Sequence, residues 1–520
     1  MPRRAASLVA AGILLSRITG FVRQWVFAHF FGNGAAADAF SAALKIPNLL
    51  QNLFGEGVLS ASFIPVYAGL LGRADEREAS RVASVVATLL AVATAALVAL
   101  GVLATPLLIG IIAPGFTGEK RAVTIRLVRI LFPGVGLLVL SSWCLGILNS
   151  HRRFFLSYAA PVVWSAAMIV AMLGFGRSTA PYALAEIVAV AATIGSGLQL
   201  AVQLPTVLGL VGRLRFALDT ASAHVRQVFR NFGPVVVARG VVQISAYVDQ
   251  VLASLLPTGA VAGLAYAQLI STLPVSLFGM SISASELPEM ARAAGSDEEV
   301  ARQLRARLSS GLRRIAFFVV PSAIALLALG DVIAAFLYQS GQFTHEDAVY
   351  VWGILAGAAV GLLASTMGRL YASTFYALHD TRTPLRFAVV RVVLTTGLGW
   401  LSAITLPPLL GIQPRWGVAG LTASAGIAGW VELALLRASL GRRIGRTILP
   451  ATFIARLWSA AIVSALVAWG VKLAVGGAHP LIVGPLVLAP YGVTYLIATI
   501  AFRIPEAQSV VAPLRRRLAR

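Results

Sequence analysis

Leu53–Pro65 reads LFGEGVLSASFIP, and Leu277–Pro288 reads LFGMSISASELP. With one deletion the second stretch repeats the first, about 224 residues later along the chain. GFTGEKRAV at Gly115–Val123 is echoed by QFTHEDAV at Gln342–Val349, GLL at Gly136 by GLL at Gly361, and NSHRR at Asn149 more weakly by ALHDTR at Ala377. The pairs keep their order at nearly constant offset, so the chain reads as a duplication. What is duplicated depends on the solvent.

Hydrophobic residues make up 58% of the chain and charged residues 12%, and the mean hydropathy is +0.84. Apolar segments of about 20 residues recur along the whole length, as in a polytopic membrane protein. About fourteen spans are expected, starting near Ala5, Ala36, Arg81, Val123, Phe155, Tyr182, Gly233, Gly259, Ile315, Ala348, Leu385, Trp416, Ala451 and Leu481. The net charge of +22 sits mostly on alternate connections, such as Arg73 and Arg77, Arg152 and Arg153, Arg226 and Arg230, and Arg442 and Arg443. The opposite connections hold only Lys120, Arg121, Arg177 and Arg415. By the positive-inside rule both termini are cytoplasmic, and the charge reports topology, with no nucleic-acid partner. Arg17 interrupts the first apolar stretch and no small-residue cleavage site follows, so that span is expected to stay.

Six spans separate the copies. An even number gives both the same orientation, which predicts an all-α membrane protein of two six-helix lobes related by a pseudo-two-fold axis along the membrane normal. The expected division is 1–215, 216–446 and two additional helices with a basic tail over 447–520. Two parallel bundles around a cleft suit alternating access. Pro47, Pro65, Pro133, Pro274 and Pro288 fall inside spans and are expected to bend them.

Ionisable residues within spans are expensive and mark function. In the first copy they are Arg17, Arg23, Asp38, Lys45 and Glu56; in the second, Arg239, Asp249, Glu286, Arg369 and Arg391. The offset maps Arg17 onto Arg239. Several cations with few acids suit an anion, since guanidinium binds phosphate oxygens in a bidentate manner; the competing reading is snorkelling of Arg23, Arg239 or Lys45 to the interface. Asp249 is either the carrier of a coupling ion or the partner of a cleft cation. His151, His345 and His379 read as loop residues, and Ser296–Leu308, SDEEVARQLRARL, as an amphipathic cytoplasmic helix. Cys144, the single cysteine, excludes an intramolecular disulfide and reads as packing. No Walker A loop, HExxH or GxSxG is present, and no connection is long enough for a catalytic domain.

SRITGFVRQ, FGNGAAADAF, LKIPNLLQNLFGEGVLSASFIPVY, APGF, LQLAVQLP and FYALHDTRTP together resemble the MurJ (MviN) family of lipid II flippases, in the multidrug/oligosaccharidyl-lipid/polysaccharide exporter superfamily. The resemblance covers nearly the whole chain. It implies fourteen helices in the bacterial inner membrane and a cationic cavity that passes the pyrophosphate-linked sugar-peptide head of lipid II outward while its polyprenyl tail stays in lipid. Arg17 and Arg23 match the two required arginines of the first helix, and Asp38 and Lys45 match family positions, so that these residues and Arg239 form the expected substrate-binding set. The family commonly has arginine where this chain has Gln51 and Leu269. Asp249 matches an acid that binds sodium in some members, but Thr395 and Gly399 stand where those members add Asn and Asp. Coupling to membrane potential, a proton or sodium is left open, no cofactor is expected, and cell-wall synthesis proteins are further expected partners. The rival readings are an exporter of another polyprenyl-linked saccharide, a membrane enzyme acting on the same lipids, and a scaffold.

Overall fold

Helices carry almost all of the chain. The computed structural model describes residues 2–508 apart from Arg213, Arg215, 217–221 and Ile448, and the backbone alone for 2–10, Glu56 and 233–246. The helical segments are α1 (Pro2–Phe31), α2 (Ala35–Gly72), α3 (Glu76–Ile112), α4 (Gly118–Ser150), α5 (Phe154–Phe175), α6 (Pro181–Val211) and α7 (Ala223–Ser254). They continue with α8 (Ala260–Ala291), α9 (Asp297–Tyr338), α10 (His345–Ala377), α11 (Arg382–Leu409), α12 (Pro414–Ile444), α13 (Ala451–Val475) and α14 (Pro480–Ala501). Each expected span start falls within one of these helices or one residue before it. Among the described residues twelve of them are long and apolar enough to cross a membrane. The other two expected spans correspond to α1 and α7, where 2–10 and 233–246 lack described side chains.

The chain divides into two compact units, Met1–Ala262 with Ser340–Phe343, and Gly263–Gln339 with Thr344–Arg520. The expected boundary at residue 215 lies outside the described residues. In the first unit α4 packs on α2, α3 and α6; in the second α10 packs on α9 and α12. These two central helices, the pair that holds the GFTGEKRAV and QFTHEDAV echo, each run for 33 residues. Each is followed by a cap residue and then by a non-glycine residue in the left-handed region, Arg152 (φ 59°) and His379 (φ 58°).

Local sequence sets the helix starts. Asp75 accepts from the Glu78 N–H to begin α3. Capping boxes open α9 at Ser296 and Glu299 and α10 at Thr344 and Asp347. The stretch expected as an amphipathic cytoplasmic helix forms the first turns of α9, continuous with the span. There Glu286 lies buried, within 3.8 Å of Arg307 and 3.6 Å of Arg314. Between α10 and α11, the Asp380 carboxylate accepts from the Arg382 and Thr383 backbone N–H groups, the Thr383 hydroxyl and Arg443. The Thr383 backbone N–H, its hydroxyl and the Arg443 guanidinium hold that carboxyl down at about 2.

Prolines within spans create carbonyls that lose their helical donor, and lipid offers no substitute. Pro321 of α9 has no N–H for the Phe317 carbonyl. Tyr495 of α14 supplies the missing donor, its hydroxyl lying 2.6 Å from the Phe317 oxygen, and Tyr491 donates to the Pro321 carbonyl at 2.7 Å. Arg313 and Glu506 pair at 2.6 Å, and Asp331 and Lys472 at 2.5 Å. The two C-terminal helices are thus fastened to α9 at several levels. In the first unit, Thr193 donates to the Ile130 carbonyl at 2.7 Å, beside the break made by Pro133.

Two outcomes follow. Tyr495→Phe leaves the Phe317 carbonyl without a donor and should lose about 1–3 kcal/mol of stability, more than Tyr491→Phe, in thermal unfolding of the reconstituted protein; equal losses would contradict the proline argument. A folded-state carboxyl held low stabilises fully above the ordinary aspartate range near 4. The Asp380 contribution should therefore persist as pH falls to about 4 and disappear as it approaches 2, which the difference in unfolding midpoint between wild type and Asp380→Ala across pH measures.

Candidate functional site

The ionisable residues of the first unit fall into local groups. Arg17 and Arg23 both lie on α1. They stand six positions apart, which at 3.6 residues per turn places them about 120° apart around the helix. Arg23 is half-buried, with its guanidinium 4.6 Å from the centre of the Trp164 ring of α5. Stacking occupies the guanidinium face and leaves the N–H edge for an oxyanion. Arg17 is exposed and has no salt bridge among the described residues.

Asp38 occupies a different environment. It is 1% exposed, and its carboxylate accepts from Lys120 Nζ at 2.5 Å and from the backbone N–H groups of Gly259 and Ala262 at 2.8 Å each. Those two amides lie at the N-terminus of α8, where unpaired N–H groups and the helix dipole favour a carboxylate. Lys120 also lies over the Phe116 ring at 4.1 Å. Gly259 is required in this arrangement: its φ is +95°, and a Cβ there would fall 2.6 Å from Asn33 Nδ2.

Lys45 lies on α2 just before Pro47, and its carbonyl accepts from the Tyr247 hydroxyl of α7 at 2.7 Å. Asp249, two residues further along α7, is near enough for its charge to act on Lys45. The structure thus brings Lys45 to Asp249, Asp38 to Lys120 and Arg23 to Trp164. Arg239 lies outside the described residues, its side chain being undescribed. No cluster of three or more His, Cys, Asp or Glu suited to a metal occurs among the described residues.

Sequence reasoning missed Trp164 and Lys120. Trp164 gives no signal beyond an aromatic within an apolar helix. Lys120 sits in the repeated GFTGEKRAV stretch, but the expected span began at Val123 and left it in a connection. The helix starts at Gly118, which brings Lys120 into its first turn beside Asp38.

Removing one partner of a buried ion pair strands the other. Asp38→Ala should therefore cost about 3–5 kcal/mol, and Asp38→Ala with Lys120→Ala together should cost less than the sum of the single losses. Strict additivity of unfolding free energies would refute the pairing.

Comparison with known proteins fits this arrangement of helices. A "Probable lipid II flippase MurJ" from Rhizobium meliloti (strain 1021) is 32% identical over 475 residues, covering 88% of this chain and 84% of the relative. The "Lipid II flippase MurJ" of Burkholderia cenocepacia is 30% identical over 448 residues, covering 85% and 84%. Among solved structures, "Lipid II flippase MurJ, inward closed conformation" superposes with a TM-score of 0.78 at 22% identity, over 95% of this chain and 99% of that one. An inward-facing multidrug resistance MATE family transporter of the MOP superfamily has a TM-score of 0.64 at 17% identity, over 82% and 94%. These two show the shared fold. The profile of the family described as "Lipid II flippase MurJ" matches residues 27–502, and the chain belongs to that family.

Proposed function

We propose that this protein is a lipid II flippase of the bacterial inner membrane, moving the lipid-linked peptidoglycan precursor from the cytoplasmic to the outer leaflet. The observation that carries this reading is the family match across 27–502, together with 32% identity to a curated relative over 88% of the chain. Its action is transport, not catalysis. The substrate is a lipid-linked precursor taken from the membrane, and no cofactor is required.

The finer reading assigns Arg17, Arg23, Lys45 and Arg239 to the pyrophosphate. An uncovered guanidinium at Arg17 and a stacked one at Arg23, whose N–H edge stays open, support it. Asp38, expected in the same set, has its carboxylate occupied by Lys120 and the Gly259 and Ala262 amides, and its part is to hold the start of α8 and Lys120 in place. Asp249 is assigned to coupling through its charge interaction with Lys45: a proton or sodium ion arriving at Asp249 would free Lys45 for the substrate, and the membrane potential would act on the net charge moved. The three-part division at 215 and 446, cytoplasmic termini, rocking of the two six-helix lobes and docking to cell-wall synthesis proteins complete the proposal.

Expression in bacteria depleted of their own lipid II flippase tests the assignment. Wild type should restore lipid II accessible from outside, and well-inserted Arg17→Ala should restore at least about tenfold less, the loss expected for a charge-assisted contact. A wild type that inserts and restores nothing would overturn lipid II as substrate. It would turn attention to Gln51 and Leu269, and to another polyprenyl-linked saccharide.

A further inference from the structure

The second unit carries a charged group that the reading above does not use. Arg369 of α10, Arg391 of α11 and Glu432 of α12 lie two to three turns inside their helices, roughly 12–18 Å from the ends that Arg443 and Asp380 bring together at 2.6 Å. Arg391 donates from Nη1 to Glu432 Oε2 at 3.2 Å. The charges of Arg391 and Glu432 both act on Arg369, which is exposed and has no salt bridge among the described residues. Arg391 also holds a buried Nε–H without an acceptor.

One carboxylate therefore holds Arg391 by hydrogen bond and ion pair and acts on Arg369 through its charge alone, and hydrogen-bonding capacity is left over on both guanidiniums. Snorkelling does not account for the group: the depth of two to three turns exceeds an arginine stem, and a carboxylate clamping Arg391 from a third helix opposes movement toward the interface. Glu432 is 16% exposed and Arg391 35%, so the acid is the more covered partner. A clamped guanidinium beside an unclamped one is the arrangement that receives an oxyanion, with the planar fork fixed before the ligand arrives.

We propose that Arg369 and Arg391 form a second oxyanion site, with Glu432 positioning Arg391, that binds a phosphate or carboxylate of the lipid-linked substrate. The inference rests on the flippase reading for its ligand. The two sources of such a group are the pyrophosphate and the peptide carboxylates of the head.

The full-length protein in lipid nanodiscs, titrated separately with lipid II and with inorganic pyrophosphate, tests it. Arg369→Gln and Arg391→Gln should each weaken lipid II binding at least about tenfold, and Arg391→Lys by less. Arg302→Gln, which removes an exposed charge from the first turns of α9, should leave binding unchanged. If pyrophosphate binding weakens in parallel, the site takes the pyrophosphate; if only lipid II binding weakens, it takes the peptide carboxylates. Unchanged binding of both probes by variants that keep the wild-type unfolding midpoint overturns the site. A wild type that does not bind lipid II overturns the flippase reading instead, and the site then stands or falls on the dependence of pyrophosphate binding on Arg391.

Discussion

In hydrocarbon, every carbonyl and every charge must find its partner inside the protein. The Phe317 carbonyl shows the constraint at its simplest. Pro321 removes its donor, water is absent, and a tyrosine 178 residues later in the chain fills the gap. The same requirement explains why the second unit fastens its last two helices with ion pairs at Arg313 and Asp331. Close packing of α9 against α13 and α14 follows from polar needs as much as from apolar fit.

What the sequence made legible is what local rules control. Hydropathy located each helix, because an apolar run long enough for the bilayer has few alternatives, but α7 and α9 begin well before the expected Gly233 and Ile315, at Ala223 and Asp297, where polar turns extend the helix beyond the apolar run. Capping boxes at Ser296 and Thr344 set starts that propensity alone would blur. Short echoes pointed to a duplication, and the echo at Gly115 and Gln342 falls at the entrances to two central helices of equal length. Pairing was not legible. Lys120 meets Asp38 and Lys472 meets Asp331 across separations that no periodicity encodes. Arg17 and Arg23 looked alike as charges in one helix, yet their six-residue spacing gives them different neighbours, open space for one and Trp164 for the other.

The pairing pattern bears on function through its balance. Asp38, Glu432 and Asp331 each hold a cation within their own unit, and Asp249 acts on Lys45. These acids are engaged with cations of the protein itself. Arg17 and Arg369 are left without a salt bridge among the described residues, and Arg23 is supported by an aromatic face instead of a carboxylate. An aromatic support keeps the guanidinium charged and its donors unspent. The surplus is therefore a property of how the partners are distributed, and under the proposed reading it is a substrate bringing its own negative charge into the membrane that would complete it.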